Sequence, residues 1–119
     1  VDGSGNVFIQ SSNDEKWDLR VFKETGHLEF KIKAIALGDA QALYAKVDSG
    51  WPALGQVDIL DAVRLGEWVT IRIPITDLLA NPGDQPLDLS SVWTPFVLEP
   101  NPGARNIDIR LDDIRWVRE

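Results

Sequence analysis

A chain of 119 residues is one domain, long enough to bury a real core and too short for two. Apolar residues at 44% and charged residues at 26% exclude a disordered polymer and indicate a globular one. The net charge of −7, with basic residues scattered along the chain, argues against nucleic acid and anionic membrane as partners.

No stretch of about 18 apolar residues occurs, so no helix is expected to span a bilayer. The absence of cysteine removes disulfides, thiolate metal sites and a thiol nucleophile. Methionine is absent too, including at position 1, so the chain is expected to be an excised or processed piece of a longer protein. Its opening "VDGSGN" reads as the tail of a linker.

Taken in order, the segments are short, alternate in polarity and are separated by turns. "NVFIQ" and "WDLRVFK" are the first predicted strands. "HLEFKIKAI" is the clearest, with Leu28, Phe30 and Ile32 on one face and Glu29, Lys31 and Lys33 on the other. "ALYAKVD" sets Leu43, Ala45 and Val47 against Tyr44, Lys46 and Asp48. "QVDIL" follows, and then "EWVTIRIPI", whose Val69, Ile71 and Ile73 oppose Trp68, Thr70 and Arg72. "ITDLLAN" is the one helical piece. "TPFVLE", "NIDIRLD" and "DIRWV" complete the set. Gly, Pro, Asn and Asp fill the connections "KETGH", "LGDAQ", "ANPGDQP" and "PNPGAR". Many one-sided strands and no long helix predict an all-β fold: a two-sheet antiparallel β-sandwich of jelly-roll type, residues 1–119 being a single domain.

Catalysis finds little support. The one histidine, His27, lies in a turn-strand junction without a nucleophile motif. Asp112, Asp113 and Glu99 are the main acids to weigh for glycoside hydrolysis, but most acids here alternate with apolar residues or sit in turns. No enzyme activity is expected. Asp112 and Asp113 in "RLDDIRW" are the leading candidates for a structural calcium ion, which takes oxygen ligands; exposed acids beside a bulge are the alternative.

The five tryptophans are a surplus for this length, and each aromatic has a core reading and a binding reading. Phe8, Phe30, Phe96, Trp68 and Trp116 are expected in the core, Trp68 as a cap where its strand enters. Trp17 remains open between the two. Tyr44, Trp51 and Trp93 resist the core reading. Tyr44 is on the polar face of its strand, Trp51 lies in the loop "DSGWPALG", and Trp93 precedes "TPFVLE". If the sheet faces align, these rings share a surface with Asp48, Arg72, Asp108 and Arg110. Flat rings beside bidentate polar groups suit a pyranose, which has an apolar C–H face and a hydroxyl rim. Rings filling gaps between loops and core, or an interdomain contact, are the alternative.

The series "DSGWPALGQVDI", "GEWVTIRIPITDLL", "LDLSSVWTPFVLEP" and "IDIRLDDIRW" resembles the C-terminal galactose-binding-like jelly-roll domain of bacterial ExoP-type β-glucan exohydrolases, family-three glycoside hydrolases. The closing "DDIRW" is also similar to β-sandwich carbohydrate-binding modules. The resemblance runs from about Leu43 to Trp116. Ser49, Ala53 and Asp77 stand where it implies cysteines, so packing or a metal is expected to secure the loop of Trp51.

By that resemblance the domain is noncatalytic, secreted or periplasmic, bacterial, and covalently attached to a catalytic domain. Its implied partner is β-glucan polysaccharide or oligosaccharide; the residues themselves nominate Trp51, Trp93 and Tyr44 as stacking surfaces and Asp48, Arg72 and Arg110 as the groups expected to bond hydroxyls. A structural accessory domain that packs on the catalytic domain without binding sugar is the alternative.

Overall fold

The computed structural model describes residues 16–50 and 52–118 in full and the backbone of residues 7–9. Among the described residues the strands are β1 (Val7–Ile9), β2 (Gly26–Ala36), β3 (Leu43–Asp48), β4 (Leu54–Asp58), β5 (Trp68–Pro74), β6 (Thr94–Pro100) and β7 (Asp108–Arg118), with one α-helix, α1 (Ile75–Ala80), after β5. All pairings between strands are antiparallel and build two sheets, ordered β1-β6-β3-β4 and β5-β2-β7. This is the expected all-β sandwich.

Alternation drives the packing. In β2, Leu28, Phe30, Ile32 and Ala34 are fully buried, while Glu29, Lys31 and Lys33 face out. In β3, Leu43, Ala45 and Val47 point inward and Tyr44, Lys46 and Asp48 outward. The inward faces meet at Phe30 and Phe96, whose rings are 5.1 Å apart and inclined at 69°. Each large apolar side chain buried this fully contributes about 1.5–3 kcal/mol.

Helix α1 begins at the end of β5 and buries Ile75 and Leu78. It crosses close over β4. A Cβ on Gly55 would stand 2.2 Å from the Leu78 carbonyl oxygen, so only glycine allows that approach. The crossing brings Asn81 and Pro82 beside the β4 edge, where the Gln56 N–H donates to the Asn81 carbonyl at 3.0 Å.

Three expectations change. "WDLRVFK" is not a strand: Arg20–Phe22 forms a 3-10 turn. The Asp18 carboxylate accepts the Arg20 N–H at 3.2 Å and pairs with its guanidinium at 2.6 Å, and this local bonding competes with a ladder. "NIDIRLD" and "DIRWV" are not separate strands but join in β7, across an irregularity at which Asp113 takes φ 54°. Trp68 does not cap the core. Register with Lys33 places it on the outer surface, 51% exposed. Trp116 does pack against the core, its indole N–H donating to the Pro95 carbonyl at 3.0 Å.

Candidate functional site

The outer face of the four-stranded sheet collects the polar residues of β3. Cross-strand register places Tyr44 between Glu99 and Asp58, and Lys46 between Val97 and Gln56. The Lys46 ammonium bonds the Glu99 carboxylate at 3.0 Å and lies 5.7 Å from the Tyr44 ring centre. The pair neutralises the middle of the face and holds a cation against the tyrosine ring. Beside it an open groove of about 450 Å³ is lined by Tyr44, Gln56, Asp58, Asn81 and Pro82. One Asp58 oxygen is already committed, accepting the N–H groups of Leu43 and Leu60 at 3.0 Å each. The Gln56 side chain makes no hydrogen bond to another described residue, leaving both its donor and its acceptor for a ligand.

Asp48 closes the other end of β3. Its carboxylate accepts the Gly50 N–H at 3.1 Å, and its carbonyl accepts the Trp93 N–H at 3.1 Å. Trp51 itself lies outside the described residues, but the bonds around it are defined. Gly50 turns the chain with φ 115°. The Ala53 N–H donates to the Gly50 carbonyl, and the Ser49 N–H to the Ala53 carbonyl, both at 2.9 Å. The Ser49 hydroxyl donates to the Ala53 carbonyl at 3.3 Å and accepts the Asp88 N–H at 3.0 Å. Ser49 is one of the positions where the resemblance implies cysteine. These hydrogen bonds tie the loop to the Asp88 segment at a position where packing or a metal is expected to secure it.

Trp93 is half-buried. The Lys16 ammonium stands 4.9 Å from its ring centre, and its indole N–H is enclosed with no acceptor among the described residues. The preceding residue, Val92, is zipped to Trp17 by bonds of 2.8 and 2.9 Å, which brings Lys16 over the ring. Trp17 is itself 38% exposed.

The structure does not bring Arg72 and Arg110 to this face. Both project from the outer side of the other sheet, where Arg72 pairs with Glu29 at 3.3 Å and Arg110 with Asp108. Outward residues of two packed sheets point in opposite directions, so the single surface expected from aligned faces does not form. Glu99 and Asp112 are likewise on different sheets.

Asp112 and Asp113 stand at the β7 irregularity. One Asp112 oxygen accepts the Asp113 N–H at 2.8 Å, and Asp113 meets the Lys31 ammonium at 3.3 Å. No group of three His, Cys, Asp or Glu residues suited to a metal occurs among the described residues. A calcium ion needs six to eight oxygens, and an ammonium beside one of two carboxylates is a poor start on that shell.

Sequence reading missed Gln56 and Asn81. The alternation of β4 is short, and only its register with β3 shows that Gln56 shares the face of Tyr44; Asn81 arrives through the α1 crossing, which depends on Gly55.

No known protein-family pattern matches the chain, and no curated protein matches it in sequence. Solved structures do match in fold. The family 30 carbohydrate-binding module of a cellulosomal cellulase from Clostridium thermocellum aligns with a TM-score of 0.72 and 22% identity, over 99% of this chain and 70% of the other. Two further structures of a family 30 carbohydrate-binding module align with TM-scores of 0.72. One has 23% identity over 96% of this chain and 67% of the other, and the second 22% over 96% and 60%. At these identities the likeness is one of fold.

Proposed function

We propose that the chain is a noncatalytic carbohydrate-binding module that holds an attached glycanase near β-glucan outside the cytoplasm. The observation that carries this reading is the outward, half-buried strand face with Tyr44 at one end and the loops of Trp51 and Trp93 stitched to Asp48 at the other. Tyr44 and Asp48 are four steps apart along the strand, about 13 Å, a length suited to an oligosaccharide rather than one ring. Tyr44, Trp51 and Trp93 act as stacking surfaces, and Gln56, Asn81 and the Lys46–Glu99 pair meet hydroxyl groups. The fold shared with carbohydrate-binding modules supports the reading, and the sequence resemblance to ExoP-type exohydrolase domains supports β-glucan as ligand class. An open face buries only part of a sugar chain, so affinity is expected in the micromolar to millimolar range, about −4 to −8 kcal/mol.

The test is a titration with cello- and laminari-oligosaccharides followed by tryptophan fluorescence, with wild type, Tyr44→Ala, Trp51→Ala and Trp93→Ala in parallel. Saturable binding weakened by Tyr44→Ala and Trp51→Ala supports the assignment. No response to any β-glucan overturns it in favour of a structural accessory domain. One observation favours that second reading for Trp93: its enclosed indole N–H and the Lys16 cover suit a plug as well as a platform.

A further inference from the structure

The outer face of the β5-β2-β7 sheet carries a second arrangement that the first site does not use. Register across the three strands forms rows: Trp68, Lys33 and Arg110; then Thr70, Lys31 and Asp112; then Arg72, Glu29 and Arg115. Five of the chain's 12 Lys and Arg residues thus gather on one sheet face of a protein with net charge −7. Most are neutralised locally. Glu29 takes both Arg72 and Arg115, at 3.3 and 2.7 Å, and Asp113 takes Lys31. Lys33 has no carboxylate partner among the described residues. It stands next to Trp68, 51% exposed, with Ile35 at 47% and Leu65 at 62% alongside. A half-exposed indole and an unneutralised ammonium in one row, with an aliphatic margin beside them, are an unusual grouping for a solvated surface.

We propose that this face is a second glycan-binding surface, selective for polysaccharides that carry uronate carboxylates. The indole of Trp68 takes the C–H face of one sugar ring. Lys33, one strand away at about 5 Å, receives the carboxylate of the same or the next residue, while Arg110, a second strand away at about 10 Å, borders the row already paired with Asp108. The charge complementarity is local: with Arg110 paired to Asp108, Lys33 is the cation of this row that meets no carboxylate among the described residues, whereas the β3 face holds its lysine against Glu99. The two faces point away from each other, so one chain can engage two polymer strands, and weak contacts on a repeating polymer gain avidity.

The test is affinity electrophoresis of the full chain in gels containing polygalacturonate, neutral β-glucan or polyglutamate, with tryptophan fluorescence titration alongside. Retardation by polygalacturonate is expected to weaken about threefold to tenfold in Trp68→Ala and to fall with added salt. Lys33→Gln, a surface change that leaves packing intact, should weaken it comparably and flatten the salt dependence. Tyr44→Ala should leave it unchanged. Binding to neutral β-glucan reads the other face, so failure there and failure here are separate results. No retardation by polygalacturonate at low salt overturns the proposal, as does wild-type retardation of Trp68→Ala and Lys33→Gln. Equal retardation by polyglutamate also overturns it and makes the face a docking surface for an acidic protein.

Discussion

Asp48 and Trp93 are joined through the main chain: the Asp48 carbonyl accepts the Trp93 N–H at 3.1 Å, while the Asp48 carboxylate accepts the Gly50 N–H, also at 3.1 Å. One residue therefore fixes the start of two aromatic loops, and its side chain serves only one of them. Asp48→Ala keeps the Trp93 bond and frees Gly50. Losing one such bond costs about 1 kcal/mol, so binding to a cello-oligosaccharide is expected to weaken about fivefold. Asp48→Asn retains an acceptor oxygen and should bind nearly as wild type. Fluorescence titration of both variants checks this; equal losses in both would mean that Asp48 meets the sugar by its charge instead of holding the loop.

Ser49 joins the same loop to the Asp88 segment, its hydroxyl donating to Ala53 and accepting from Asp88. Ser49→Ala deletes both bonds without changing the backbone. A loss of about 1–2 kcal/mol is expected, a fall in Tm of roughly 4–10 °C, read by circular dichroism. Hydrogen exchange at the Asp88 amide should accelerate. An unchanged Tm with slow exchange would show that packing alone secures the loop.

Glu29 gives the second face a pH signature. The hydrogen bond from Arg115 holds its carboxyl below the ordinary 4.5, with the charges of Arg115 and Arg72 adding to the effect. A depressed carboxylate contributes stability that is fully present above 4.5 and lost as pH falls through its lower folded value. Glu29→Gln is therefore expected to be less stable than wild type at neutral pH, and the gap should close in acid below that value. Urea unfolding across the range measures it; a gap that persists at the acid end would place the effect in packing.

How far the fold was legible follows from the same residues. The alternation in "HLEFKIKAI" and "ALYAKVD" is strong because each strand has one buried face, and it gives both sheets their inward side. Alternation says which residues share a strand face; it does not say which sheet a strand joins. That is why Tyr44 and Asp48 came together as expected, while Arg72 and Arg110, equally outward in their own strands, lie across the sandwich. Trp68 misled for a related reason. A tryptophan at a strand entrance is usually buried, but its parity with Thr70 and Arg72 already placed it outside. Local side-chain bonding hid the turn at Arg20, since Asp18 and Arg20 read as ordinary alternating polar residues until their bond is seen.

Asp113 separates a backbone role from a ligand role at the β7 irregularity. Its φ of 54° lies in the left-handed region, which glycine enters freely and a β-branched residue resists. If the position is set by the bulge, Asp113→Gly should keep the wild-type Tm or raise it slightly, having lost only an exposed pair with Lys31 of at most about 1 kcal/mol. Asp113→Val should cost about 1–2 kcal/mol or more in strain. Both Tm values are to be taken with calcium and with EDTA. Strain predicts the order glycine above valine in either buffer, with the same difference between them. A wild-type Tm that rises with calcium, and loses that rise in Asp113→Gly, would give the carboxylate a cation to hold and reverse the assignment.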